Sequence, residues 1–166
     1  MKLLATDLDR TLLPNGPAEL SPGAMDAFIE QYTKTDSVQL AYVTGRNLRQ
    51  VKDAQKEFGI PLPDFLLAEV GTKIFYKKDS VLVEDSSWDA YVLEQCPLWN
   101  VQSIVSVLKD LSLELQPEEF QNQFKISFFV HEDIQDAVVS LLQGTYDEEI
   151  IYSYDPLAKK GLIDIV

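Results

Sequence analysis

The chain opens with MKLLATDLDRT, in which Asp7 and Asp9 stand two residues apart directly after the apolar run Leu3-Leu4-Ala5. In an extended segment, side chains at i and i+2 share a side. The two carboxylates therefore leave the end of a buried strand aimed at one place, and the carboxyl ends of strands are where ligands bind in open α/β sheets. Two carboxylates there can hold a hard cation such as Mg2+ through oxygen. One of them can also attack phosphorus, the chemistry of aspartyl-phosphate enzymes. A second chemical cluster, Tyr42-Val43-Thr44-Gly45-Arg46, also ends an apolar run. A hydroxyl, an unhindered glycine amide and a helix start meet there, which makes a phosphate cradle. Thr44 can donate its hydroxyl to a phosphoryl oxygen, Gly45 lets the backbone approach, and Arg46 adds positive charge.

The elements that must position these residues follow from periodicity. Lys2–Thr6, Val38–Val43 and Phe65–Ala68 read as strands. Between the first two, Ser21-Pro22 reads as an N-cap with proline at the first helical position, followed by the stripe Met25, Phe28, Ile29 and Tyr32. Asn47 can cap a second helix carrying Leu48, Val51 and Phe58, which Gly59 and Pro61 end. The βαβαβ order implies a parallel sheet. Beyond Gly71 the pattern changes to a hairpin, Thr72–Tyr76 and Val81–Val83, and then to an α+β unit. In that unit Asn100 opens a helix with Val101, Ile104, Val105 and Leu108. Phe124, Ile126, Phe128 and Val130 alternate along a strand with Lys125, Ser127 and Phe129 on its other face. Ala137–Leu142 reads as a helix ended by Gly144, and Ile150–Tyr154 and Leu162–Val166 as strands.

The chain has 166 residues, 46% of them hydrophobic, enough for a core. Its net charge of −13 and the lack of a basic stripe argue against nucleic acid as a partner and against anionic membrane surfaces. No stretch approaches the roughly 20 apolar residues of a membrane helix. The single cysteine, Cys96, excludes an intramolecular disulfide framework, and a strand stands where a signal peptide would lie, which fits the cytoplasm. The lone His131 reads as a loop residue outside the chemistry, and Trp88 and Trp99 as packing residues.

Asp7-x-Asp9-x-Thr11 and Thr44-Gly45-Arg46 resemble motifs one and two of the haloacid dehalogenase (HAD) superfamily of phosphohydrolases, and the insertion after the third strand resembles its type IIB cap. Within that group the chain is similar to the sucrose-phosphate phosphatases. This second similarity rests on Pro63-Asp64-Phe65, Val70-Gly71-Thr72-Lys73-Ile74, Trp88, and the stretch from Leu115-Gln116-Pro117-Glu118 through Gln121 to Lys125-Ile126-Ser127-Phe128. The resemblance implies an α/β, HAD-like Rossmannoid core at residues 1–83, an α+β type IIB cap at 84–163, and the start of a return to the core at 164–166.

It also implies a sugar-phosphate substrate and roles at the matching positions. Asp7 is expected to be the nucleophile, and Asp9 the acid that protonates the leaving alcohol and then activates water. Mg2+ is expected on the Asp7 carboxylate and the Asp9 carbonyl, phosphoryl oxygens on Thr44 and Gly45, and Thr11 as a support of the Asp loop. In the cap, Gln121, Lys125 and Ser127 are expected to face the sugar. The superfamily's third motif, a lysine, and its fourth, a G-D-x-x-x-D string, have no counterpart, and Lys159-Lys160-Gly161 reads as a turn. The core is therefore expected to be incomplete, with its first strand an exposed edge through which the chain self-associates. The resemblance leaves open a phosphatase for glucosylglycerol phosphate or mannosylphosphoglycerate, and a non-catalytic sugar-phosphate-binding module or inactive fragment of such an enzyme.

Overall fold

The computed structural model describes residues 2–14, 21, 23–35, 37–130, 134–155 and 159–166. They form two compact units, 1–88 and 89–166, so the division falls a few residues beyond the expected boundary at 83. His131 and Pro22 lie outside the described residues.

In the first unit, strands β1 (Lys2–Thr6), β2 (Val38–Val43) and β3 (Phe65–Ala68) run parallel, and β4 (Lys73–Lys78) and β5 (Val81–Glu84) add antiparallel, in the order β1-β2-β3-β4-β5. The connections are α1 (Ala24–Thr33) and α2 (Leu48–Phe58). Leu40, Tyr42, Leu66, Ala68 and Phe75 line one sheet face, and Met25, Phe28 and Tyr32 of α1 and Val51 and Ala54 of α2 pack onto that cluster. The Asn47 side chain accepts from the Gln50 amide while the Gln50 side chain accepts from the Asn47 amide, the reciprocal cap that its position suggests, and Gly59 closes α2 at φ 69°. Helix α1 departs from expectation. Gly23, at φ 75°, holds its N-cap with no side-chain hydrogen bond, and the Ala24 amide donates to the Ser21 carbonyl. Ser21 thus lies just before the cap rather than at it.

The second unit is a four-stranded antiparallel sheet, β6 (Leu113–Leu115), β7 (Ile126–Val130), β9 (Lys160–Ile165) and β8 (Ile150–Asp155) in spatial order. Helices α4 (Val101–Leu108) and α5 (Gln135–Leu142) cover one face of it, over Ile126, Phe128, Val130, Ile163 and Ile165. Residues 164–166 are the segment expected to start a return to the core. Asp164 and Ile165 belong to β9, which is paired on both sides, and Val166 exchanges backbone hydrogen bonds with Glu149. Helix α3 (Ser86–Gln95) spans the division between the units, buries no residue, and so has no apolar stripe for a sequence to show.

Candidate active site

Parallel pairing sets Thr6 opposite Tyr42, so the segments that follow β1 and β2 leave the sheet side by side. After β1 the chain turns at once. The amides of Thr11, Leu12 and Leu13 all donate to the Leu8 carbonyl at 3.4, 3.0 and 2.7 Å, and the Arg10 amide donates to the Leu13 carbonyl at 2.8 Å. Leu8 and Leu13 are buried and pin this loop to the core, while Asp7 is exposed and Asp9 is partly buried. The Thr11 hydroxyl donates to Asp7 Oδ2 at 2.9 Å, the supporting role expected of it.

After β2, the buried Thr44 is fixed by its amide, which donates to the Leu67 carbonyl at 2.9 Å. Its Oγ1 accepts from the Arg46 amide at 3.2 Å. A hydroxyl that already accepts keeps its proton for a donor role. Gly45 is exposed beside it. The Arg46 guanidinium turns to Asp9 and holds it in a fork: Nε lies 3.1 and 3.0 Å from the two carboxylate oxygens and Nη2 lies 2.6 Å from Oδ1. Both side chains are about three-quarters buried. The hydrogen bond to Asp9 and the Asp9 charge outweigh burial and raise the Arg46 guanidinium above its ordinary value, with smaller help from Glu57 and Asp7.

A family model for sucrose-6F-phosphate phosphohydrolase matches residues 1–166, the whole chain. The chain belongs to the sucrose-6F-phosphate phosphohydrolase family. Among curated proteins it is 32% identical to a putative HAD-like hydrolase of Nitrosococcus oceani, over 99% of this chain and 46% of that protein. It is 30% identical to a probable sucrose-phosphatase of Arabidopsis thaliana, over 91% of this chain and 36% of that protein. The chain thus spans between about a third and a half of the length of these relatives. The structure of a Synechocystis sucrose-phosphatase in complex with sucrose and phosphate matches with a TM-score of 0.78 at 23% identity, over 99% of this chain and 63% of that one. A HAD subclass IIB sugar phosphatase matches with a TM-score of 0.60 at 14% identity, over 100% and 70%. These two establish the HAD fold.

For this sucrose-6F-phosphate phosphohydrolase family member, the fold brings together Asp7, Asp9, Thr44, Gly45 and Arg46, the five core residues singled out in the sequence. The oxygen donors here are of the kind that Mg2+ accepts. A carboxylate at Asp7 and a main-chain carbonyl at Asp9 are hard oxygen ligands, and Mg2+ takes one or two carboxylates while keeping several waters. Among the described residues no three His, Cys, Asp or Glu side chains gather as a metal cage.

The three residues expected on the sugar lie in the other unit, and they do not stand on an open face. Lys125 and Ser127 are 5% and 1% exposed. The Ser127 hydroxyl donates to Asp164 Oδ1 at 2.5 Å, and its backbone is clasped by the Gln121 amide, whose Oε1 accepts from Ser127 N at 2.8 Å and whose Nε2 donates to Ser127 O at 2.9 Å. Alternation placed Lys125 and Ser127 on one face of the strand together with Phe129, and the segment from Gln116 to Gln121 hydrogen-bonds to Ser127 through its backbone and, at the Phe120 carbonyl, through its hydroxyl. Sequence reasoning overlooked Asp164 and the Asp9–Arg46 pair. Both are joined across 37 residues, a separation that leaves no local signal. Trp88 and Trp99 spend their indole N–H groups on the carbonyls of Gly71 and Gln123, as packing residues do.

Proposed function

We propose that this chain carries the catalytic carboxylates and phosphate cradle of a phosphomonoesterase acting on a disaccharide phosphate of the sucrose 6-phosphate type. One observation carries the reading: a carboxylate pair and a Thr-Gly phosphate cradle emerge together from neighbouring parallel strands. Asp7 Oδ1 is the nucleophile. Thr11 holds the other oxygen, so the attacking one keeps its orientation. Attack forms the Asp7–phosphorus bond and breaks the phosphorus–sugar oxygen bond. Asp9 supplies the proton that the departing alkoxide needs. Water then attacks the aspartyl phosphate, gives its proton to Asp9 and frees inorganic phosphate, so ester and water become alcohol and phosphate. Thr44 and the Gly45 amide hold phosphoryl oxygens throughout. The Asp7 carboxylate and the Asp9 main-chain carbonyl would hold Mg2+, which would supply neutralisation of phosphoryl charge, the dominant requirement of such transfers.

The substrate class follows the family and the sucrose-phosphatases among the relatives. A mannosylfructose-phosphate phosphatase of Agrobacterium fabrum, 26% identical over 93% of this chain, makes mannosylfructose phosphate the second substrate to try. The test is phosphate release from both esters. Asp7→Asn should reduce it to background with the fold intact, and Asp9→Asn should cost roughly 100- to 10,000-fold. Wild-type turnover in Asp7→Asn would overturn the mechanism.

A further inference from the structure

The geometry points to Val70 as a positioning residue for the phosphate cradle, a role that rests on the proposed function and deepens it. Beyond β3 the chain takes three consecutive residues into the left-handed region, Glu69 at φ 53°, Val70 at φ 57° and ψ 32°, and Gly71 at φ 92°. Glycine reaches that region without cost, but a β-branched residue there is an outlier. Such strain persists only where the surroundings over-determine it, and it clusters at functional sites.

The surroundings here are specific. The Thr72 amide and hydroxyl both donate to the Glu69 carbonyl, at 3.3 and 2.8 Å, and the Trp88 indole donates to the Gly71 carbonyl at 3.0 Å. These bonds lock the turn from behind. From its front, the Val70 amide donates to the Thr44 carbonyl at 3.1 Å and the Glu69 amide to the Arg46 carbonyl at 3.1 Å. The turn therefore grips the cradle on both sides of Gly45.

A peptide unit is planar, with its carbonyl and amide pointing in opposite directions. Holding the Thr44 carbonyl therefore fixes where the Gly45 N–H points, which is the group assigned to a phosphoryl oxygen. The Val70 side chain adds a second restraint. A Cβ placed on Gly45 would stand 3.6 Å from Val70 Cγ1, an ordinary van der Waals distance, so valine limits the space on one side of a residue with wide backbone freedom. Val70 thus bounds the side of Gly45 that a side chain would occupy.

The test is titration of the whole chain, with Mg2+ present, against inorganic phosphate by calorimetry, using Val70→Gly, Val70→Ile and Thr44→Ala, at a temperature where all are folded. Val70→Gly relieves the left-handed strain and removes that boundary. It should unfold no earlier than wild type yet bind phosphate about tenfold more weakly, and Val70→Ile should restore the affinity. A residue that only packs would give the reverse, a lower unfolding temperature and unchanged affinity, and that result overturns the role. Loss of affinity in Thr44→Ala with none in Val70→Gly overturns the role of Val70 alone. A wild-type chain that does not bind phosphate overturns the cradle, and the inference with it.

Discussion

At Asp9 the sequence motif and the folded site say different things about the same arginine. Arg46, placed among phosphate ligands by its position in Thr44-Gly45-Arg46, instead forks onto the Asp9 carboxylate. A planar guanidinium fixes both the place and the plane of a carboxylate, which a lysine ammonium cannot do. In the proposed mechanism Asp9 presents one oxygen to the departing alkoxide, so its orientation matters as much as its charge. Arg46→Lys should therefore lower kcat on a sugar phosphate by roughly 10- to 100-fold, the scale of a misplaced catalytic group, while leaving the unfolding temperature nearly unchanged. A double-mutant cycle decides how it acts. In an Asp9→Asn background the same substitution should cost little. An equal loss in both backgrounds would mean that Arg46 serves the phosphate directly.

Between residues and sheets, side chains stand in for missing backbone. At the start of β3, Asp64 exchanges its amide with the Leu40 carbonyl at 2.8 Å, and its Oδ2 accepts from the Leu40 amide at 2.9 Å. Gln121 does the same for Ser127, just past the end of β6. Asp64 also pairs with Lys77 and accepts from the Tyr32 hydroxyl at 3.4 Å. Burial pushes its carboxyl up. The hydrogen bond and charge of Lys77, the Leu40 amide and Tyr32 together outweigh burial and hold it below the usual carboxylate range. A depressed carboxyl contributes stability above its unfolded value, about 3.9, and loses that contribution as pH falls through the folded value. The stability gap between wild type and Asp64→Asn should therefore be constant from pH 7 to about 5 and close in stronger acid, as measured by thermal unfolding. A gap that widens in acid would contradict the pairing. These linkages also show what a sequence can and cannot display. Strands β1 to β3 and helix α2 were legible because apolar runs and the Asn47 cap are local signals. Helix α3, without a stripe, and the left-handed Val70, in a conformation that valine's own preferences oppose, were not. Lys125 and Ser127 are buried, with Ser127 bonded to Gln121 and Asp164, and no period in the strand encodes it.

For the chain as a whole, two opposing surface properties meet at β1. Among the described residues this strand pairs with β2 alone, and an edge strand is a template for another strand. Leu3 is 62% and Leu4 40% exposed, and Leu3 shares with Val43, 43% exposed, the sheet face away from α1 and α2. Lys2 is the strand's one charge, a weak guard for five residues. Against association stands the net charge of −13, which makes two copies repel at long range. The edge attraction is short-ranged and largely indifferent to salt, whereas the repulsion is screened with a Debye length of about 10 Å at 0.1 M and about 3 Å at 1 M. Self-association of this chain through β1 should therefore rise with ionic strength, unlike assembly through ion pairs. Light scattering between low salt and about 1 M NaCl should show mass increasing with both salt and protein concentration. Leu3→Lys, which puts a charge on the open face and edge, should keep the chain monomeric without lowering its unfolding temperature, because Leu3 buries little. A wild-type chain that stays monomeric at every salt and concentration would show that the β1 edge does not drive assembly, and oligomers that dissolve as salt rises would place the contact on charged groups elsewhere.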